Sequence, residues 1–202
     1  MDNAIIIFIK NPVAGKVKTR LAATIGNERA LEIYLDLVAH TLETVKHIEA
    51  DKFLYFSDEI DKSIGFKDLS FYTAVQQGED LGKRMENAFA DTFANLYRRV
   101  IIIGTDCPGI DTKGLQSAFN KLTDADVVIG PATDGGYYLL GMREPQPILF
   151  RNIEWSTSMV LQATTAHCIN NNISYVMLPE LSDIDDENDL THLKKTVKKN
   201  RA

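Results

Sequence analysis

Ala4-Ile5-Ile6-Ile7-Phe8-Ile9-Lys10-Asn11-Pro12-Val13-Ala14-Gly15-Lys16-Val17-Lys18-Thr19-Arg20-Leu21 is the stretch from which the fold class is read. Its first six residues are apolar without alternation, the pattern of a strand covered on both faces by helices. Polarity then changes abruptly. Lys10, Lys16, Lys18 and Arg20 fall within eleven positions of a Pro- and Gly-containing loop, and no acidic residue occurs between Asp2 and Glu28. The chain as a whole has a formal net charge of -6, so this cationic segment is local. Phosphate is the usual reason to build one, because a strand-end loop feeding a helix gathers backbone N–H groups and side-chain cations around one point.

Outward from this stretch, short β-branched runs alternate with longer amphipathic ones. Strands are expected at 52–57, 71–75, 99–104, 126–130, 137–142 and 174–178. Helices are expected at 27–48, capped by Asn27, and at 80–97, 111–122, 158–170 and 186–199. In the first helix Leu31, Tyr34, Leu35, Val38 and Leu42 share a face, and in the second Leu81, Met85, Ala88, Phe89 and Phe93 do. Alternating strands and helices predict a three-layer α/β/α sandwich on a mixed, mainly parallel sheet. The runs at 126–130 and 137–142 lie too close for a helical crossover, which predicts one antiparallel element.

The totals set limits. A chain of 202 residues is expected to form a single domain, 1–202, with a continuous core. A pI near 5.2 argues against nucleic acid as a partner. Cys107 and Cys168 are too few for a disulfide scaffold and too far apart for a zinc site; a reduced, cytoplasmic location is expected. No apolar run approaches the ~20 residues of a membrane span.

In an open α/β sheet, ligands bind beyond the carboxyl ends of the strands, and three segments follow predicted strand ends: the basic loop, Gly104-Thr105-Asp106-Cys107-Pro108-Gly109, and Gly130-Pro131-Ala132-Thr133-Asp134-Gly135-Gly136-Tyr137. The basic loop is not a P-loop, since the earlier glycine is missing and Val17 stands where a magnesium-binding Ser or Thr belongs. Asp106, at the end of a buried strand, suits a hard divalent cation that shares its oxygens with phosphate. Asp134 reads both as a hairpin-turn residue and as a site residue. Arg84, near the start of a helix, reads either as an exposed helical charge or as a phosphate ligand. Asp183 and Asp185 precede an apolar helix and fit its start electrostatically, while remaining possible metal neighbours. Trp155 reads as core. No histidine pairs with Cys107 or a serine, so nucleophilic catalysis has little support.

Phe8-x-Lys10-x-Pro12-x-x-Gly15-x-x-Lys18-Thr19-Arg20-Leu21, Gly104-Thr105-Asp106-Cys107-Pro108-Gly109 and Gly130-Pro131-Ala132-x-Asp134-Gly135-Gly136-Tyr137-Tyr138-Leu139-Leu140-Gly141 together resemble a bacterial glycosyltransferase family, the radical-SAM/selenodomain-associated and arsenosugar-biosynthesis transferases. The resemblance runs from Ile5 to about Leu190. It implies a GT-A fold, that of nucleotide-diphospho-sugar transferases, and the chain is also similar, more distantly, to guanylyl- and other nucleotidyltransferases of cofactor biosynthesis. The chain departs from sugar-nucleotide pyrophosphorylases in its opening loop and, with Thr105 before Asp106 and Cys107 after it, lacks a complete Asp-x-Asp motif at that strand end.

The expected activity is metal-dependent transfer of a sugar from a nucleotide-sugar donor to a small-molecule acceptor. In it Lys10, Gly15, Lys18, Arg20 and Arg84 meet the donor phosphates and Asp106 holds Mg²⁺ or Mn²⁺. Asp134 orients or deprotonates the acceptor. Nucleotidyl transfer with release of pyrophosphate is the alternative. A nucleotide-sugar-binding module without turnover is the third reading.

Overall fold

The structure, a computed structural model, describes residues 2–64, 71–187, 189 and 190. One sheet holds β1 (Asn3–Ile9), β2 (Asp51–Phe56), β3 (Phe71–Val75), β4 (Arg99–Ile103), β5 (Val127–Pro131), β6 (Tyr137–Met142) and β7 (Tyr175–Met177). Their order across it is β3-β2-β1-β4-β6-β5-β7. Only β6 runs against its neighbours, pairing antiparallel with both β4 and β5. Four of the helices are α2 (Asn27–Lys46), α3 (Leu81–Phe93), α4 (Thr112–Lys121) and α5 (Val160–Asn170). The expected α/β architecture with one antiparallel element is therefore present.

The unbroken apolar run of β1 follows from this layering. Ile5, Ile7 and Ile9 join Tyr34, Val38 and Leu42 of α2 and Phe119 of α4 in one core cluster, while Ala4 and Ile6 join Met85 and Phe89 of α3 and Cys168 of α5 in another. Successive side chains of a strand point to opposite faces, so a strand covered on both sides has no position for a polar residue. Asp80 and Asp111 cap α3 and α4, accepting from Lys83 N and Gly114 N at 2.7 Å each. Among the described residues no helix is long and apolar enough to cross a membrane.

Several local expectations need correction. The basic loop ends in a helix of its own, α1 (Thr19–Ile25), which the short apolar spacing did not reveal. Gly26, at φ 85°, then breaks the chain and caps α2; Asn27 is the first helical residue and makes no side-chain cap. Leu35 and Leu81 are exposed rather than packed inward. Leu81 instead forms part of a cavity wall. The expected helix from Asp186 to Lys199 lies outside the described residues from 191 onward.

Trp155 is a packing residue, as expected: its ring stacks on Phe150 with centroids 6.3 Å apart. It also covers Gly82 in the first turn of α3, where a Cβ would fall 2.1 Å from Trp155 Cε2. Gly82→Ala gains helix propensity of about 1 kcal/mol, but forcing a methyl into this contact costs about 1–3 kcal/mol or more. The variant is expected to melt at a lower temperature than the wild type. In a Trp155→Leu background the same change is expected to cost less, which thermal denaturation of the four proteins checks.

Candidate functional site

Parallel strands β1, β4 and β5 present their carboxyl ends along one edge of the sheet, and the basic loop, the Gly104–Gly109 segment and the 132–136 turn emerge there. A fourth segment joins them. After β7 the chain runs along the extension of β5, with Leu181 N donating to Pro131 O (3.1 Å) and Thr133 N to Leu181 O (3.0 Å). It then passes beyond the end of β4, where Ile184 N donates to Asp106 O at 3.0 Å. This course places Asp183 and Asp185 beside Asp106.

Lys18 lies at the centre. It adopts the left-handed conformation, φ 48° and ψ 46°, as the residue preceding α1, a region that non-glycine residues rarely occupy. That turn sends its side chain inward, where only 3% remains exposed. Lys18 Nζ is 2.7 Å from Asp106 Oδ1 and 3.5 Å from Asp185 Oδ1. The Asp106 contact is an ion pair out of hydrogen-bond alignment, so Asp106 Oδ1 has no hydrogen-bond partner. Arg20 Nη2, on a side chain 74% exposed, meets Asp185 Oδ2 at 2.7 Å.

Two further groups fix the loop. The buried Tyr34 hydroxyl accepts from Lys10 N and donates to Lys10 O, both at 2.8 Å. Burial pushes that phenol above its ordinary range, so it stays protonated and able to donate. Asn11, also buried, accepts from Asp58 N at 3.0 Å and donates to Glu59 O at 2.8 Å, tying the loop to the one after β2.

Two cavities open at this edge and share Lys10, Tyr34 and Asp106. The smaller, of about 110 Å³, is cationic, with Lys16, Lys18 and Arg20 in its wall beside Asp185. The larger, of about 280 Å³, is mainly apolar, lined by Phe8, Leu81, Met85 and Tyr137, with Gln76 and Asp183 among its polar groups. Lys10, Lys18, Arg20 and Asp106 are thus brought together as the sequence suggests. Gly15, at φ 77°, makes the loop's turn without lining either cavity.

Arg84 and Asp134 stand apart from both cavities. Arg84 Nε donates to Gly78 O at 3.0 Å and braces the loop before α3. Asp134 Oδ1 accepts from Gly136 N at 2.8 Å in the turn between β5 and β6. Gly135 in that turn, at φ 88°, presses against Ser158, so a Cβ there would lie 2.2 Å from a carbonyl oxygen. Cys107 is buried, and both burial and the neighbouring Asp183 push its thiol up. It is a packing residue, as expected.

Asp183 is the residue whose place the sequence leaves undecided. It lines the larger cavity, and its Oδ1 is buried with no hydrogen-bond partner. Burial raises its pKa from the ordinary 3.8 to about 7, with Asp106 and Asp134 adding to the rise and Lys18 opposing it. The native state therefore holds a proton that the unfolded chain has released between about pH 4 and 7, and stability falls as pH rises through that window. Asp183→Asn is expected to remove this slope and to melt about 2–6 °C higher than wild type at pH 8. Melting curves from pH 5 to 8 check it; an unchanged slope contradicts the assignment.

Residues 41–157 match the family described as "Uncharacterized protein conserved in bacteria (DUF2064)". No curated protein matches the chain. Among solved structures, a protein from Desulfovibrio desulfuricans G20, provisionally assigned as a nucleotide-diphospho-sugar transferase, superposes with a TM-score of 0.90 at 35% identity, covering 96% of this chain and 87% of that one. An inositol-1-phosphate CTP transferase from T. maritima gives a TM-score of 0.58 at 14% identity, covering 98% and 96%. The Rv0371C protein of Mycobacterium tuberculosis H37Rv, in complex with manganese, gives 0.59 at 11%, covering 96% and 99%. The two lower identities speak for the fold alone, whereas the matched span of more than half the chain shows that the protein belongs to the DUF2064 family.

Proposed function

We propose that the protein is a transferase that takes a nucleotide-activated donor, and that a nucleotide-sugar is that donor. The observation that supports this most directly is the joining of a small cationic cavity to a larger, mainly apolar one through shared Lys10, Tyr34 and Asp106. The first suits a diphosphate and the second the uncharged portions of the ligand. The likeness to the assigned nucleotide-diphospho-sugar transferase agrees with this division. The acceptor is a small molecule.

A divalent cation, Mg²⁺ or Mn²⁺, fits part of the site. Among the described residues no group of three His, Cys, Asp or Glu side chains is arranged to hold a metal. Asp106 and the unpartnered Oδ1 of Asp183 are nonetheless hard oxygen donors. Magnesium commonly takes only one or two carboxylates and completes its shell with water and substrate phosphate. Asp106 would hold the ion, with Asp183 as its neighbour. When bound, such an ion neutralises negative charge on the phosphates.

The protein's own groups then have distinct tasks. Lys10 and Arg20, both exposed, reach the outer phosphate oxygens, and Lys18 presents its ammonium from beneath. As the donor bond breaks, negative charge grows on the leaving phosphate, and these fixed cations stabilise it. The apolar wall limits water at the reacting carbon. Asp134 would have to leave its hydrogen bond with Gly136 to orient or deprotonate the acceptor.

That restraint on Asp134 favours attention to a second reading, nucleotidyl transfer. There an acceptor phosphate attacks the nucleotide's α-phosphate, pyrophosphate leaves, and no protein base is needed. The products separate the two reactions: nucleoside diphosphate in the first, pyrophosphate in the second.

Ligands that bind only the folded state raise its melting temperature by mass action. A panel of nucleoside diphosphates, triphosphates and nucleotide-sugars is expected to give a shift with one nucleotide-sugar that Mn²⁺ enlarges. Asp106→Ala is expected to lose the metal-dependent part. Lys10→Ala and Arg20→Ala, each removing one charge-assisted contact worth about 1.5–3 kcal/mol, are expected to weaken binding by about 10- to 100-fold with the fold intact. Undiminished transfer by Asp106→Ala at saturating metal contradicts the role of Asp106. A shift confined to one triphosphate moves the reading to nucleotidyl transfer.

A further inference from the structure

The cationic cavity already contains an anion of the protein's own. Asp185 Oδ2 lies 2.7 Å from Arg20 Nη2 and its Oδ1 lies 3.5 Å from Lys18 Nζ, so one carboxylate bridges two of the cavity's cations. A carboxylate and a phosphate offer such donors the same paired oxygen acceptors. We propose that Asp185 is a placeholder in this cavity: a ligand's phosphate displaces its carboxylate from Arg20 and Lys18, and the displacement lowers the affinity of every phosphate ligand by a common factor. The inference rests on the reading of this cavity as a phosphate site.

The surrounding contacts suit such an exchange. The main chain at Asp185 is anchored on both sides of the side chain. Before it, Ile184, fully buried, donates its N–H to Asp106 O at 3.0 Å and Asp185 N donates to Asp189 Oδ2 at 2.9 Å; after it, Asp186 N donates to the same Asp189 Oδ2 at 3.0 Å. The carboxylate therefore swings without the strap unravelling. Its pair with Arg20 involves a guanidinium on a side chain 74% exposed, and exposed pairs of this kind hold weakly. Lys18 keeps Asp106 at 2.7 Å when Asp185 leaves, so no buried ammonium is stranded.

A purely structural role for the carboxylate has less to recommend it. The turn that follows is held by other acids: Asp189 Oδ2 also accepts from Asp186 N, and Asp186 Oδ1 accepts from Asp189 N. The Asp185 side chain points into the cavity wall instead. Inorganic phosphate, whose paired oxygens match those of the carboxylate, and pyrophosphate both have to make this exchange.

Calorimetric titration of the full chain with pyrophosphate and with inorganic phosphate, in the absence of divalent metal, tests the proposal. Asp185→Asn is expected to bind inorganic phosphate about tenfold more tightly than wild type and to gain at least as much for pyrophosphate. Asp185→Ser, which shortens the side chain, is expected to behave alike and serves if the first variant folds poorly. Glu187→Gln removes the same charge from an exposed position nearby and is expected to change neither affinity by more than about twofold. Equal gains in Glu187→Gln, unchanged affinities in both Asp185 variants, or weaker binding of both anions would each overturn the placeholder. Binding of neither anion by any of the proteins, wild type included, would overturn the phosphate-site reading and the placeholder with it. Wild-type binding that both Asp185 variants leave unchanged would overturn the placeholder alone.

Discussion

The contact between Lys18 and Asp106 joins two neighbouring strand ends, and the site is organised around it. β1 and β4 are paired in register from Asn3 with Arg99 to Ile7 with Ile103, so the loops leaving them start side by side. Lys18 closes the gap from one and Asp106 from the other, at 2.7 Å. A residue with a β-carbon rarely accepts the left-handed turn that Lys18 makes, which costs about 1–2 kcal/mol. Replacing a buried ion pair by packed apolar groups commonly leaves stability unchanged or raises it. A strained, buried cation facing a half-exposed carboxylate at a sheet edge therefore makes better sense as binding machinery than as a stabilising device.

The rest of the edge follows from the sheet's topology. Antiparallel β6 sits between β4 and β5, so its first residues lie at the same edge as the ends of its parallel neighbours. Tyr137 and Tyr138 thereby enter the larger cavity's wall, and Tyr138 is steadied by donating to Pro179 O at 3.0 Å. On the other side Tyr34 reaches across from α2 to hold Lys10 by both backbone groups. One cavity wall is thus built from strands and the other from a helix, while the mobile-looking composition of the basic loop is restrained by Asn11 and Tyr34 rather than left to solvent.

Much of this was legible in the sequence, and the exceptions have physical causes. Ala4–Ile9 and Val100–Ile103 announce strands covered on both faces because no polar residue interrupts them. Asp80 and Asp111 announce helix starts because a short carboxylate satisfies free amides there. Helix α1 was hidden because, at seven residues, it is too short to display a period. Gly26 replaced Asn27 as the cap because the chain needs φ 85° between two abutting helices. At the candidate site, the motifs singled out Lys10, Lys18, Arg20 and Asp106, which lie together in the structure, and also Gly15, Arg84 and Asp134, which line neither cavity. The places of Asp183 and Asp185 depend on a long-range passage beyond the end of β4 that no local pattern encodes. Their position before an apolar run pointed to a helix start, whereas the turn that follows them is held by Asp186 and Asp189.

The central claim is that a donor's phosphates are bound where Lys18, Arg20 and Lys10 converge. Its most direct test is a crystal structure of the protein with a non-transferable nucleotide-sugar analogue and Mn²⁺. The account predicts phosphate oxygens within hydrogen-bond distance of Arg20 and Lys18, the metal on Asp106, and the uncharged part of the ligand against Leu81, Met85 and Tyr137. Phosphates bound elsewhere, with Lys18 and Arg20 untouched, would contradict it.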